Sequence, residues 1–89
     1  FMWYVYLLLS KKNGKHYVGM TQKNVSGRLD EHNAGKSKFT SGHIPWELLY
    51  SESFNDSKQA RLREKYFKTS AGRRRLHAIL KGSAGSMPD

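Results

Sequence analysis

Nine consecutive apolar or aromatic positions, FMWYVYLLL at 1–9, open the chain, and a second run, HYVGMT at 16–21, follows the polar segment SKKNGK. Both runs are rich in aromatic and β-branched residues, and KKNG between them carries turn chemistry, so the pattern predicts two antiparallel strands in a hairpin. Near-continuous apolarity places the first strand inside a sheet rather than at its edge. The spacing then changes: Val25 and Leu29 stand four apart between Asn24, an N-cap residue, and Gly35, a C-terminal stop, which predicts a short helix. GKSKFTSGHIP at 35–45 is polar and rich in Gly and Ser, and reads as a loop that Pro45 keeps from turning helical. WELLYSESF has the length and composition of a third strand. NDSKQARLREKYFKTS predicts a helix capped near Asn55, Asp56 or Ser57, and Gly72 interrupts it ahead of a last short basic helix, RRRLHAIL. The order β-β-α-β-α-α gives an α/β fold, a small three-stranded antiparallel sheet flanked by helices. A chain of 89 residues supports one core, so residues 1–81 are expected to form a single domain and residues 82–89 a disordered tail.

Hairpin register decides which side chains share a face. A two-residue Asn13-Gly14 turn would set Tyr17 opposite Ser10, roughly 13 Å along the strand from Tyr6. A four-residue loop, Lys11 to Gly14, sets Tyr17 opposite Leu8 and leaves Tyr6 as its diagonal neighbour at about 7 Å. The pattern favours the longer loop, which puts both tyrosines on one face.

Charge narrows the choice of partner. Sixteen Lys and Arg against seven Asp and Glu give a net +9, which favours a polyanion, nucleic acid first, over a neutral ligand. The chain has no cysteine, so no disulfide-linked partner is expected, and a cytoplasmic setting fits. The longest apolar run has nine residues against the ~20 of a membrane-spanning helix, so no membrane partner is expected either. There is no paired-carboxylate motif, Walker loop or Gly-x-Ser-x-Gly elbow, and His16, His43 and His77 lack metal-ligand spacing.

Arg28 and His32, at i and i+4, flank the stripe that contains Val25 and Leu29, so both point inward. The plain alternative is that Arg28 pairs with Glu31 and His32 fills the helix end. Glu64 lies at the border of the buried stripe of the long helix, where it either pairs with Lys68 or holds a cation.

These residues resemble the GIY-YIG nuclease superfamily, in its small stand-alone form. Tyr4-Val5-Tyr6 stands for the first signature and Tyr17-Val18-Gly19 for the second. Arg28, His32 and Glu64 match the arginine, the histidine-or-tyrosine position and the metal-binding glutamate. The resemblance implies a metal-dependent DNA endonuclease, structure-selective or weakly sequence-specific, on branched or single-stranded DNA. In that scheme Tyr17 or Tyr6 orients and deprotonates water, and Glu64 holds one Mg2+ or Mn2+. Arg28 stabilises the transition state, and His32 assists proton transfer or orients a tyrosine. Met20 stands where some members carry a lysine, leaving Lys23, Lys36 or Lys38 to supply that cation, and the late asparagine of some members has no match. Lys23, Lys36, Lys38, Arg73, Arg74 and Arg75 are the expected phosphate contacts, the alternative being a solvated basic surface. A non-catalytic nucleic-acid-binding module of the same fold, and an adaptor for an acidic protein, are the rival functions.

Overall fold

Ser10 opens the hairpin. Its hydroxyl accepts the N–H groups of Lys12 and Asn13, and its carbonyl accepts Gly14 N–H at 2.8 Å. Gly14 takes φ 77°, a left-handed conformation suited to glycine, and the turn closes over four residues rather than two. The strands β1 (Trp3–Ser10) and β2 (His16–Thr21) therefore pair with Leu8 opposite Tyr17 and Tyr6 opposite Gly19. The computed structural model describes residues 2–82; the expected tail lies outside them except for Gly82, which closes the last helix.

The elements that follow are α1 (Val25–Asn33), a 3-10 turn (Ser41–His43), β3 (Trp46–Phe54), α2 (Ser57–Phe67) and α3 (Ser70–Gly82). The antiparallel sheet has the order β2-β1-β3, so β1 is paired on both sides, as its apolarity predicts. Val5 and Leu7 face a core with Ala60 and Phe67 of α2 and Leu76 of α3. Tyr6 and Leu8 face a second core with Trp46, against which Tyr17, Val25, Leu29 and Ile44 pack. A bulge in β3 explains the imperfect alternation of WELLYSESF: Leu7 pairs with Tyr50 and Leu8 with Leu48, so Leu49 joins Tyr50 on the α2/α3 side.

The break between the last two helices differs from the sequence expectation. It falls at Lys68 and Thr69, and Gly72 sits inside the first turn of α3. Thr69 makes the break, because its hydroxyl accepts Gly72 N–H at 3.0 Å and donates to the Tyr66 carbonyl at 2.6 Å. Gly72 instead permits close approach: a Cβ there would stand 1.8 Å from the Tyr66 carbonyl oxygen. No helix among the described residues is long and apolar enough to cross a membrane.

Candidate active site

Strand register and one glycine bring the tyrosines together. Their ring centroids are 6.3 Å apart, and Tyr6 lies over Gly19, where a Cβ would meet its Oη at 2.5 Å and Tyr17 Cε2 at 2.9 Å. The glycine of Tyr17-Val18-Gly19 is thus the space that two rings occupy.

α1 supplies His32 to the same face. Asn24 caps this helix by accepting Gly27 N–H at 2.6 Å, and Gly35, at φ 77°, ends it. His32 is fully buried, with its ring 5.2 Å from that of Tyr17. Its Nε2 is 3.0 Å from Tyr6 Oη and its Nδ1 2.7 Å from Thr40 Oγ1. The Thr40 hydroxyl can donate to the Ser37 carbonyl at 3.4 Å, which leaves its lone pair for Nδ1–H and leaves Nε2 to accept the Tyr6 proton. This direction follows from satisfying the whole network. The loop that carries Thr40 is pinned to its neighbours. Trp46 Nε1 donates to the Thr40 carbonyl at 3.0 Å, and the Asn33 amide exchanges two bonds with the Trp46 backbone, at 2.6 and 3.0 Å.

Electrostatics then set the protonation states. Burial pushes the Tyr6 hydroxyl up to about 12; the Arg28 guanidinium beside it opposes that shift, while Tyr17 and Glu64 reinforce it. Tyr6 therefore holds its proton at neutral pH. Burial, aided by the charge of Arg28, holds His32 below its usual range, so the imidazole is neutral. Arg28 donates to Glu31 at 2.8 Å, and Lys23 reaches the same carboxylate at 2.6 Å. Hydrogen bonds from Lys23 and Arg28 pull the Glu31 carboxyl down to about 2. The helix pair and the inward-facing site are thus both present, with Arg28 belonging to each.

A pH dependence of stability follows. An unfolded His32 takes up a proton below about pH 6.5, whereas the folded, buried ring does so only at lower pH, so stability is full above that value and declines as the pH falls. The Glu31 contribution is lost separately, below the ordinary carboxylate range and toward about 2. Melting curves taken from about pH 7.5 down to about pH 5 should fall for the wild type. They should be flatter for His32→Gln, which cannot titrate; equal slopes would contradict the assignment.

Glu64 comes from the other helical layer. Its side chain is only 16% exposed, with Lys68 at 3.4 Å and Arg61 at 4.0 Å, and its charge reaches the Tyr6 hydroxyl. Both cations lie at the outer range of ion pairing, so the carboxylate keeps acceptor capacity for another ligand. No group of three His, Cys, Asp or Glu that could cage a metal exists among the described residues. The donor set suits an ion that keeps several waters and takes further oxygens from a phosphate.

The expected phosphate contacts divide between the two layers. Lys36 and Lys38 are exposed on the loop after α1, the loop whose Phe39 ring lies 6.0 Å from that of Tyr17, and Lys23 reaches the site through its pair with Glu31. Arg73 and Arg74 are exposed on α3, the helix whose Leu76 packs in the opposite core. Arg75 is half-buried there and acts electrostatically on Glu52 and Tyr50. The arginine triplet therefore does not share a face with Tyr6 and Tyr17. Met20 also points into the α2/α3 core.

The family model of the GIY-YIG catalytic domain matches residues 2–76. The chain belongs to the GIY-YIG family. Among similar GIY-YIG-sized chains, the UPF0213 protein SAG0778 of Streptococcus agalactiae serotype V is 39% identical over 77 residues, 85% of each chain. The UPF0213 protein CPE1444 of Clostridium perfringens is 37% identical over 77 residues, 85% of this chain and 81% of its own. The solution NMR structure of the UPF0213 protein BH0048 from Bacillus halodurans has a TM-score of 0.55 and 29% identity, covering 89% of this chain and 85% of that one. This GIY-YIG domain thus covers most of the length of small relatives.

Two residues outside the candidate set complete the picture, one of them already offered by the sequence as a helix-pair partner. Thr40 fixes the His32 tautomer, and Glu31 fixes Arg28. The Glu31 partnership was visible in helical spacing; nothing in the loop sequence singles out Thr40.

Proposed function

We propose that this GIY-YIG domain is a nuclease that hydrolyses phosphodiester bonds in DNA with one Mg2+ or Mn2+, preferring branched or single-stranded substrates. The observation that carries the reading is the chain Tyr6–His32–Thr40, with Arg28 and Glu64 both acting on the Tyr6 hydroxyl. Structural packing alone has no use for that combination in one place.

The chain's own residues account for the chemistry. Tyr6, with its pKa raised to about 12, is a poor base by itself. A water that passes a proton to Tyr6 Oη while Tyr6 passes its own to His32 Nε2 leaves hydroxide and imidazolium, so the neutral imidazole is the ultimate acceptor. Hydroxide attacks phosphorus, the bond to the leaving oxygen breaks, and that oxygen takes a proton from solvent. Tyr17, half-buried at the mouth of the site, orients the water. Arg28 offsets the charge that develops on the phosphoryl oxygens. Glu64 would hold the divalent ion, which supplies Lewis-acid stabilisation of the phosphate when bound.

The test is incubation of the protein with branched, single-stranded and fully paired DNA. Cleavage should appear with Mg2+ or Mn2+, vanish with a chelator and return when the ion is restored in excess. The second reading, a DNA-binding module without turnover, draws on the Lys68 pairing of Glu64 and on Met20 in the opposite core. It predicts no cleavage of any substrate, and binding whose log K falls by about 0.9 per neutralised phosphate with log salt.

A further inference from the structure

Phe39 is 79% exposed, although Thr40 next to it in sequence is buried and its ring neighbours that of Tyr17. It belongs to neither core, and its exposure is not that of a loose loop. Thr40, its neighbour, is 1% exposed and bonded to His32, and Thr40 N and Ser41 N both donate to the Ser37 carbonyl, at 3.2 and 2.9 Å. The Phe39 ring is displayed from a fixed turn, with its centroid 6.0 Å from that of Tyr17. Lys36 and Lys38, both exposed, stand on the same short segment.

A flat apolar ring held in water, with cations beside it, matches one kind of ligand well. A nucleobase offers a π face to the ring and phosphates to the lysines. A base inside a duplex already has both faces covered by its neighbours, so only a base that has left the stack can use Phe39.

We propose that Phe39 is a stacking platform for an unpaired base next to the scissile phosphate, with Lys36 and Lys38 on the flanking phosphates. The inference rests on the nuclease reading of the adjacent site and narrows its substrate class to DNA with unpaired nucleotides at the cut. The duplex portion of such a substrate contributes phosphate contacts only.

Binding without metal separates this inference from the question of turnover. The full chain is titrated into DNA carrying a fluorescent adenine analogue, placed either in an unpaired stretch or in a perfect duplex. Wild-type protein should quench the unpaired analogue and leave the paired one unaffected. Phe39→Ala should weaken binding to unpaired DNA by about 5- to 100-fold and abolish the quench, with duplex affinity, its salt slope and Tm unchanged. Phe39→Trp should retain both properties. Phe39→Leu should behave as Ala does, because it keeps an apolar contact toward Tyr17 without a π face. Unchanged affinity in Phe39→Ala, or wild-type behaviour in Phe39→Leu, would overturn the platform and leave the nuclease reading standing. Concentration-dependent self-association that Phe39→Ala abolishes, without any quench in the wild type, would assign the ring to a second copy and overturn it too. Quenching without cleavage on any substrate would uphold the platform while removing the nuclease reading, and absence of all DNA binding would remove both.

Discussion

Glu64→Gln is expected to reduce metal-dependent cleavage by about 10³-fold or more, and to leave Tm within about 2 °C of the wild type. The asymmetry comes from what Glu64 touches. Its contacts with Lys68 and Arg61, at 3.4 and 4.0 Å, are partly solvated pairs of the kind that add about 0.2 to 1 kcal/mol at most. Glutamine keeps the shape and much of the packing while removing the one carboxylate whose charge reaches Tyr6 from α2. Metal-free DNA binding should hold steady or tighten slightly, because a negative charge is lost from a basic protein. Single-turnover cleavage and thermal melting on the same preparation read both effects. A variant that keeps more than about a tenth of the activity would reduce Glu64 to a helix-surface ion pair.

The largest effect on folding belongs to Gly72→Ala. The new methyl would lie 1.8 Å from the Tyr66 carbonyl oxygen and 2.7 Å from Phe67 Cα, and both are backbone atoms with no rotamer to yield. Relief requires α3 to move away from α2, which opens the contact between Phe67 and Leu76, 2% and 5% exposed. The expected cost is about 3 kcal/mol or more, which for a domain of this size lowers Tm by about 12 to 24 °C. Gly42→Ala is the control, since a Cβ there meets nothing within 4 Å and should change stability by less than about 1 kcal/mol. Similar melting curves for the two variants would mean that the α2/α3 junction can relax.

Gly72 also shows where sequence reading lost information. Glycine in a helical stretch reads as an interruption from propensity, yet here it permits close approach, and Thr69 makes the break three residues earlier. The strands were more legible, because loop length fixes parity: four residues from Lys11 to Gly14 force Tyr6 and Tyr17 onto one face whatever else the chain does. Helical spacing likewise exposed the Arg28–Glu31 pair and the inward turn of His32. The partner of His32 was beyond reach, since Thr40 lies in a loop without periodicity and arrives through the path of the chain between α1 and β3. The placement of the basic residues was illegible for a related reason. Composition counts charge but does not say which layer carries it, and Arg73 to Arg75 fall on the helix behind the sheet.

The pinned loop between α1 and β3 changes how the free protein meets a polyanion. Asn33 grips the first residue of β3, Trp46 grips Thr40, and Thr40 grips His32, so releasing the loop would strand three buried polar groups and uncover an aromatic core at once. The segment belongs to the same cooperative unfolding unit as the sheet, despite a composition typical of a flexible tether. A nucleic acid therefore meets a finished mould, and conformational adjustment on binding is left to the nucleic acid.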